Sequence, residues 1–79
     1  MNCFENGRQL MSEGLDKEAI QAFDLCIDMN IESAQAFFYR GVCHYRLGNY
    51  HQAKDDLGAA ALLGCKDALL WSEYEQKLN

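Results

Sequence analysis

Residues 37–57 read FFYRGVCHYRLGNYHQAKDDL, and this stretch predicts two helices joined by a short turn. In its first half, aromatic and small residues recur at the spacing of one helix face, and the pattern stops at Gly48. Beyond the glycine, Ala53 and Leu57 start a second stripe at helical spacing. The stretch is therefore typical of a helical hairpin.

The same pattern occurs again 34 residues earlier in the chain. The identities at this offset are Phe4/Phe38, Gly7/Gly41, Gly14/Gly48, Ala19/Ala53 and Ala34/Ala68. They involve glycine, alanine and an aromatic residue, the residue types that decide how closely helices pack. We expect Gly7 and Gly41 to lie where the helices of each hairpin cross, and Phe23 and Leu57 to fill the space toward the next hairpin.

This period and hairpin unit resemble the tetratricopeptide repeat, whose pattern runs W-x2-L-G-x2-Y, then A-x3-F, then a proline. The second copy reads Phe37-x2-Arg40-Gly41-x2-His44 and Ala53-x3-Leu57, and the first reads Cys3-x2-Asn6-Gly7-x2-Leu10 and Ala19-x3-Phe23. Ile31 and Cys65 stand at the proline position. The resemblance covers nearly the whole chain.

The resemblance implies an all-α fold: an α–α superhelix with two helix-turn-helix hairpins and one capping helix. We expect a single domain over 1–79, with repeat one at 1–33, repeat two at 34–67 and the capping helix at 68–79. The periodicity predicts helices at about 2–13, 16–29, 34–46, 50–63 and 67–78. The alternative is an unrelated helical bundle with chance glycine spacing.

Local signals mark the helix ends. Gly14, Gly48 and Gly64 stand where the helical patterns stop, at positions suited to a left-handed cap. Asn49 and Gln52 predict a capping box at the start of the fourth helix.

The charge balance excludes some classes of partner. Seven basic and twelve acidic residues give a net charge of −5, and no cluster of lysine and arginine stands out. Nucleic-acid binding is therefore disfavoured. The N-terminus lacks a signal-peptide pattern and no run of 18 apolar residues occurs, so we expect a cytoplasmic protein with no membrane partner.

The four cysteines are widely spaced and form no C-x-x-C pair. Two disulfides are conceivable in a secreted protein, but without a secretory signal we expect reduced thiols that act as small apolar residues. Cys26 is expected in the core, and Cys3 and Cys65 nearer the surface.

The third predicted helix carries a second apolar stripe, made by Phe38, Val42 and Tyr45. One helix of a small bundle needs one buried face, so we expect this stripe to face a partner. Repeats of this kind bind peptides or helices on the face lined by the first helix of each hairpin. The expected groove residues are Phe4, Arg8, Phe38, Tyr39, Val42, Arg46, Ser72 and Gln76. The alternative is that the last helix folds back and covers this surface.

A subset of the family holds the C-terminal carboxylate of chaperone tails with lysines and asparagines. The corresponding positions here are Phe4, Arg8, Tyr39, Leu69 and Glu73. Arg8 alone could hold a carboxylate, and Glu73 would repel one, so that mechanism is disfavoured.

Catalysis has little support in the sequence. Cys43 and His44 are adjacent, but neighbours on a helix point about 100° apart, so the histidine cannot activate the thiol. His51 and Asp55 are too few ligands for a metal, and Asp55 and Asp56 are interpreted as a solvated patch. We therefore expect no enzyme activity, no metal and no cofactor.

The function expected from these observations is a non-catalytic module that binds a protein or peptide in the groove. The alternative is a self-associating structural protein, a homodimer formed through the exposed first hairpin, because three or more repeats are usually needed for a stable array. Met1, Phe4 and Met11 would then contact the second copy.

Overall fold

The computed structural model of the protein describes residues 2–68, and these residues form four helices. The helices are α1 (Cys3–Ser12), α2 (Asp16–Asp28), α3 (Ser33–Arg46) and α4 (Tyr50–Leu62). Residues 66–68 are helical as well. The first four predicted helices are confirmed within one or two residues at each end. The predicted capping helix lies outside the described residues beyond Ala68.

Each helix packs against the next one along the chain: α1 on α2, α2 on α3, and α3 on α4. The helix α1 also touches α3. The structure is an all-α, helical repeat-like fold made of two hairpins, as the sequence predicts. In this order α3 is the middle helix, with a neighbour on each side.

The 34-residue period is visible in the helix boundaries and in the packing. The helices α2 and α4 begin and end 34 residues apart. Gly7 lies against the ring of Phe23 in the first hairpin, and Gly41 lies against Leu57 in the second. Both members of each contact are related by the same offset, so the hairpins repeat in three dimensions.

The predicted left-handed helix ends are confirmed, with φ of 79° at Gly14, 85° at Gly48 and 94° at Gly64. Beyond Gly48, the Asn49 N–H donates to the carbonyl of His44 at 2.8 Å, which satisfies an otherwise unpaired carbonyl at the end of α3. The other helices end with the same backbone bond, and at α2 the left-handed position is filled by Asn30, with φ of 56°.

The predicted capping box at α4 is wrong. The side chain of Asn49 makes no bond to the backbone of α4. Its Nδ2 atom lies instead 3.4 Å from Nδ1 of His44. A side-chain cap does occur at α1, where Oδ1 of Asn2 accepts the N–H of Glu5 at 2.8 Å.

The apolar core consists of two clusters on either side of α3. The first contains Ala19, Phe23 and Cys26 of α2 together with Ala36 and Cys43 of α3, all fully buried. The second contains Ala60, Cys65 and Ala68, with Phe37 and Phe38 packed against it. Phe23 therefore fills the space between the hairpins, as expected.

A disulfide joins Cys3 of α1 to Cys26 of α2, with Cα atoms 5.7 Å apart. The expectation of reduced thiols is wrong for this pair, because hairpin packing brings the two Cα atoms within the range a disulfide requires. Cys43 and Cys65 are free, and both are buried. The expectation that Cys65 is exposed is therefore also wrong.

None of the helices within residues 2–68 combines the length and the apolar character needed to cross a bilayer.

Candidate partner-binding surface

An aromatic cluster lies where α1 meets α3. The ring centroids of Phe4 and Tyr39 are 5.7 Å apart, and each ring contacts Phe23 of the core. Phe38 adds a fourth ring, 5.3 Å from Tyr39. The sequence-predicted residues Phe4, Phe38 and Tyr39 are therefore brought together, although each of the three side chains is half-buried.

Arg8 lies over this cluster from the next turn of α1. Its guanidinium carbon is 5.9 Å from the ring centroid of Phe4 and 5.8 Å from that of Tyr39. These are cation–π distances, and Arg8 is exposed to solvent. The arginine thus spans a residue from each hairpin and joins α1 and α3 into one surface.

Val42 and Arg46 follow Phe38 along the same stripe of α3 at intervals of four residues. Val42 is half-buried, while the side chain of Arg46 is 43% exposed. Nη1 of Arg46 lies 3.4 Å from Oδ1 of Asp16 at the start of α2. Arg46 is therefore engaged in an ion pair between the hairpins, away from the aromatic cluster.

The remaining two predicted groove residues, Ser72 and Gln76, lie outside the described residues.

The expectation that α3 buries only one face is wrong. Ala36 and Cys43 face α2, and Gly41 faces α4. Phe38 packs against the second core cluster, and Tyr39 packs against the first. These two aromatic side chains therefore hold the hairpins together as well as lining the surface, because a helix between two neighbours has little face left over.

A charged cluster that the sequence analysis missed lies across the three consecutive helices. Arg40 of α3 donates from Nε and Nη2 to the two carboxylate oxygens of Asp56 on α4, at 2.8 and 2.7 Å. Its Nη1 donates to Oδ1 of Asp24 on α2 at 2.7 Å. Each aspartate is 16 residues from the arginine. The hydrogen bonds to Asp56 raise the pKa of Arg40 well above its ordinary value, although burial opposes the shift.

Asp56 is only 6% exposed, so its interpretation as part of a solvated patch is wrong. Nε2 of His44 lies 3.8 Å from its Oδ2 atom. His44 is half-buried, in keeping with the tyrosine position of the motif that it fills. The signal available in the sequence was the arginine at the motif's leucine position, which requires an acidic partner once it is partly buried.

The free thiol nearest to this surface is that of Cys43, which is fully buried. Burial raises its pKa to about 12, the carboxylate of Asp16 adds to the rise, and Arg46 opposes it. A thiol with this pKa is almost entirely protonated at neutral pH and is a poor nucleophile.

His51 and Asp55 lie on the exposed face of α4, with Nε2 and Oδ2 3.9 Å apart. Within residues 2–68, no three histidine, cysteine, aspartate or glutamate side chains come together as a metal site.

Comparison with known proteins gives a distant similarity. Over 63 residues the chain is 29% identical to Sperm-associated antigen 1 of Rattus norvegicus, which contains tetratricopeptide repeats. The matched region is 80% of this chain and 7% of that protein, so the chain spans a small part of its relative. No family model and no solved structure matches the chain. The similarity supports a fold like that of the tetratricopeptide repeat and hints at a protein-interaction module.

Proposed function

We propose that the chain is a non-catalytic interaction module that binds a peptide or helix of another protein. The binding surface is the α1–α3 face, defined by Phe4, Arg8, Phe38, Tyr39, Val42 and Arg46. The observation that carries the proposal is the position of Arg8 over Phe4 and Tyr39. Aromatic and arginine side chains are the most frequent energetic anchors of protein interfaces, and here they form one surface across two repeats.

The distant similarity to a tetratricopeptide-repeat protein supports the same function. Helical repeats present the first helix of each hairpin to their partners. The surface proposed here is formed by α1 and α3, the first helices of the two hairpins.

Peptide selection followed by NMR mapping tests this proposal. Peptides are selected from a random phage-displayed library against the whole chain, and amide shifts are recorded during titration of the ¹⁵N-labelled protein. We expect the shifted amides to lie on α1 and α3. Shifts confined to the outer surfaces of α2 and α4 would contradict the proposal.

A pair of matched variants sharpens the test. Val42→Glu places a charge on the α1–α3 face, and Leu25→Glu places the same charge on α2, where Leu25 is 51% exposed. We expect Val42→Glu to weaken peptide binding by about tenfold or more and Leu25→Glu to leave it unchanged. Circular dichroism checks that both variants keep their helices.

Self-association through the first hairpin stays a second prediction. Phe4 and Met11, two of the residues expected to meet a second copy, are half-buried and pack on the first core cluster. Met1 lies outside the described residues. The apolar side chains that the first hairpin does expose include Leu25 and Met29, one turn apart on α2. Light scattering of the wild type and Leu25→Glu tests this prediction, which requires a dimer in the wild type that the variant weakens.

A further inference from the structure

Arg8 differs from the other arginines of the chain in its electrostatic partners. Arg40 binds two carboxylates, and Arg46 lies beside the carboxylate of Asp16. Within residues 2–68, no carboxylate lies within ion-pair distance of Arg8, whose contacts are with the rings of Phe4 and Tyr39. In a protein with a net charge of −5, this exposed cation is left uncompensated by the described residues.

The contacts of Arg8 leave its hydrogen-bonding capacity unused. A ring stacked against a guanidinium group interacts with its flat face, while the N–H donors point outward in the guanidinium plane. Those donors match the two oxygens of a carboxylate. The two rings also restrict the side chain, so less conformational entropy is lost when a ligand binds than for an arginine free in solvent.

The surroundings of Arg8 determine what must flank such a carboxylate. Phe38 and Val42 lie beside Tyr39 on α3, and both are half-buried apolar side chains. A segment bound across them would place apolar side chains there and an acidic side chain at Arg8. The face therefore suits a segment in which acidic and apolar residues alternate.

We propose that the partner is a protein segment whose aspartate or glutamate side chain pairs with Arg8, with its neighbouring apolar side chains on Phe38 and Val42. This inference rests on the proposed function and names the chemistry of its ligand. The occupant is an acidic side chain within a chain, and the carboxylate at a chain's C-terminus is the competing source that the test separates.

The test uses fluorescence anisotropy with the whole chain and three labelled peptides. The first is C-terminally amidated and alternates glutamate with leucine and phenylalanine. The second is the same peptide with glutamine in place of glutamate. The third is the glutamine peptide with a free C-terminal carboxylate. We expect the glutamate peptide to bind about tenfold or more tightly than either glutamine peptide.

Variants assign the preference to Arg8. Arg8→Gln should remove the preference for glutamate, and Arg8→Lys should keep only part of it, because an ammonium group lacks the planar pair of donors. Lys54→Gln removes the same charge from the exposed surface of α4 and should keep the preference in full. Circular dichroism confirms that the variants remain folded.

Equal binding of the glutamate and glutamine peptides would overturn the inference, as would a preference that survives in Arg8→Gln. Tighter binding of the peptide with the free terminus would overturn the choice of an acidic side chain. Binding of none of the peptides would also overturn it. The function proposed above would be judged separately, by whether the peptides selected from the random library map to α1 and α3.

Discussion

A Cβ atom added to Gly7 would lie 2.6 Å from Cε1 of Phe23, so the backbone of α1 rests directly on an aromatic ring of α2. The second hairpin repeats this contact 34 residues later, where a Cβ on Gly41 would lie 3.0 Å from Cγ of Leu57. The two glycines set the distance between the helices of each hairpin. Their packing therefore determines how the two repeats stack.

The first prediction concerns these glycine contacts. Gly41→Leu should lower the free energy of unfolding by about 1–3 kcal/mol or more, because the added atoms collide with α4. Gly58→Ala should raise it by up to about 1 kcal/mol, because a Cβ at Gly58 meets no atom within 4 Å and alanine favours the helix. Urea unfolding followed by circular dichroism measures both, and equal effects would contradict the repeat packing.

The second prediction concerns the disulfide between Cys3 and Cys26. Its reduction should lower the free energy of unfolding by about 3 kcal/mol, because the bond closes a loop with a sequence separation of 23 residues. For a domain of this size the thermal midpoint should fall by roughly 10 °C or more. Thermal unfolding with and without reductant measures the shift.

The matched control for the disulfide is Cys3→Ser, whose midpoint should not respond to reductant. Thiol titration of the unfolded protein without reductant should find two free thiols, those of Cys43 and Cys65. Four titrating thiols would mean that the disulfide is not formed, and the expectation of reduced cysteines would then hold.

The third prediction concerns Arg40 and its two carboxylates. Arg40→Ala should lower the free energy of unfolding by about 3–5 kcal/mol, because Asp56 is left buried and unpaired. Asp24→Ala should cost about 1 kcal/mol or less, because the side chain of Asp24 is 51% exposed. The double variant Arg40→Leu with Asp56→Ala should recover most of the loss, because it removes both charges.

A double-mutant cycle in urea measures the coupling between Arg40 and Asp56. Additive losses would show that the two side chains do not stabilise one another.

The fourth prediction concerns the pH at which Cys43 reacts. The pKa of about 12 lies above the ordinary value of 9.0, so the protonated thiol persists where an ordinary cysteine has already ionised. Alkylation of native Cys43 should therefore stay slow at pH 9 and rise only as the pH approaches 12, while unfolded protein in urea reacts readily at pH 9. Mass spectrometry of iodoacetamide-treated protein measures this, with Cys43→Ala as the assignment control. Rapid native alkylation at pH 9 would contradict the burial of the thiol.

The helices and their turns were predictable because their signals are local. An apolar stripe at helical spacing predicts a helix wherever it occurs, and Gly48 at its end predicts a left-handed turn, because glycine adopts positive φ without a steric penalty. The 34-residue offset likewise lies in the sequence itself. Phe4 and Tyr39 were assigned to one surface because the repeat places them on equivalent helices.

The errors concern residues whose environment depends on distant parts of the chain. Asp55 and Asp56 are neighbours in the sequence, yet one is exposed and the other is buried by a pairing with Arg40, 16 residues away. No local pattern distinguishes the two. The disulfide depends in the same way on the approach of Cys3 to Cys26 in the folded hairpin.

The sequence by itself determined the helices, their glycine ends and the 34-residue repeat, because each depends on backbone preference and on the spacing of residues along one helix. The tertiary structure alone decided that α3 is buried on two sides, that Arg40 joins three helices, and that Arg8 lies over Phe4 and Tyr39. Those features depend on how separate helices approach one another, and the spacing within a single helix carries no information about the distance to its neighbours.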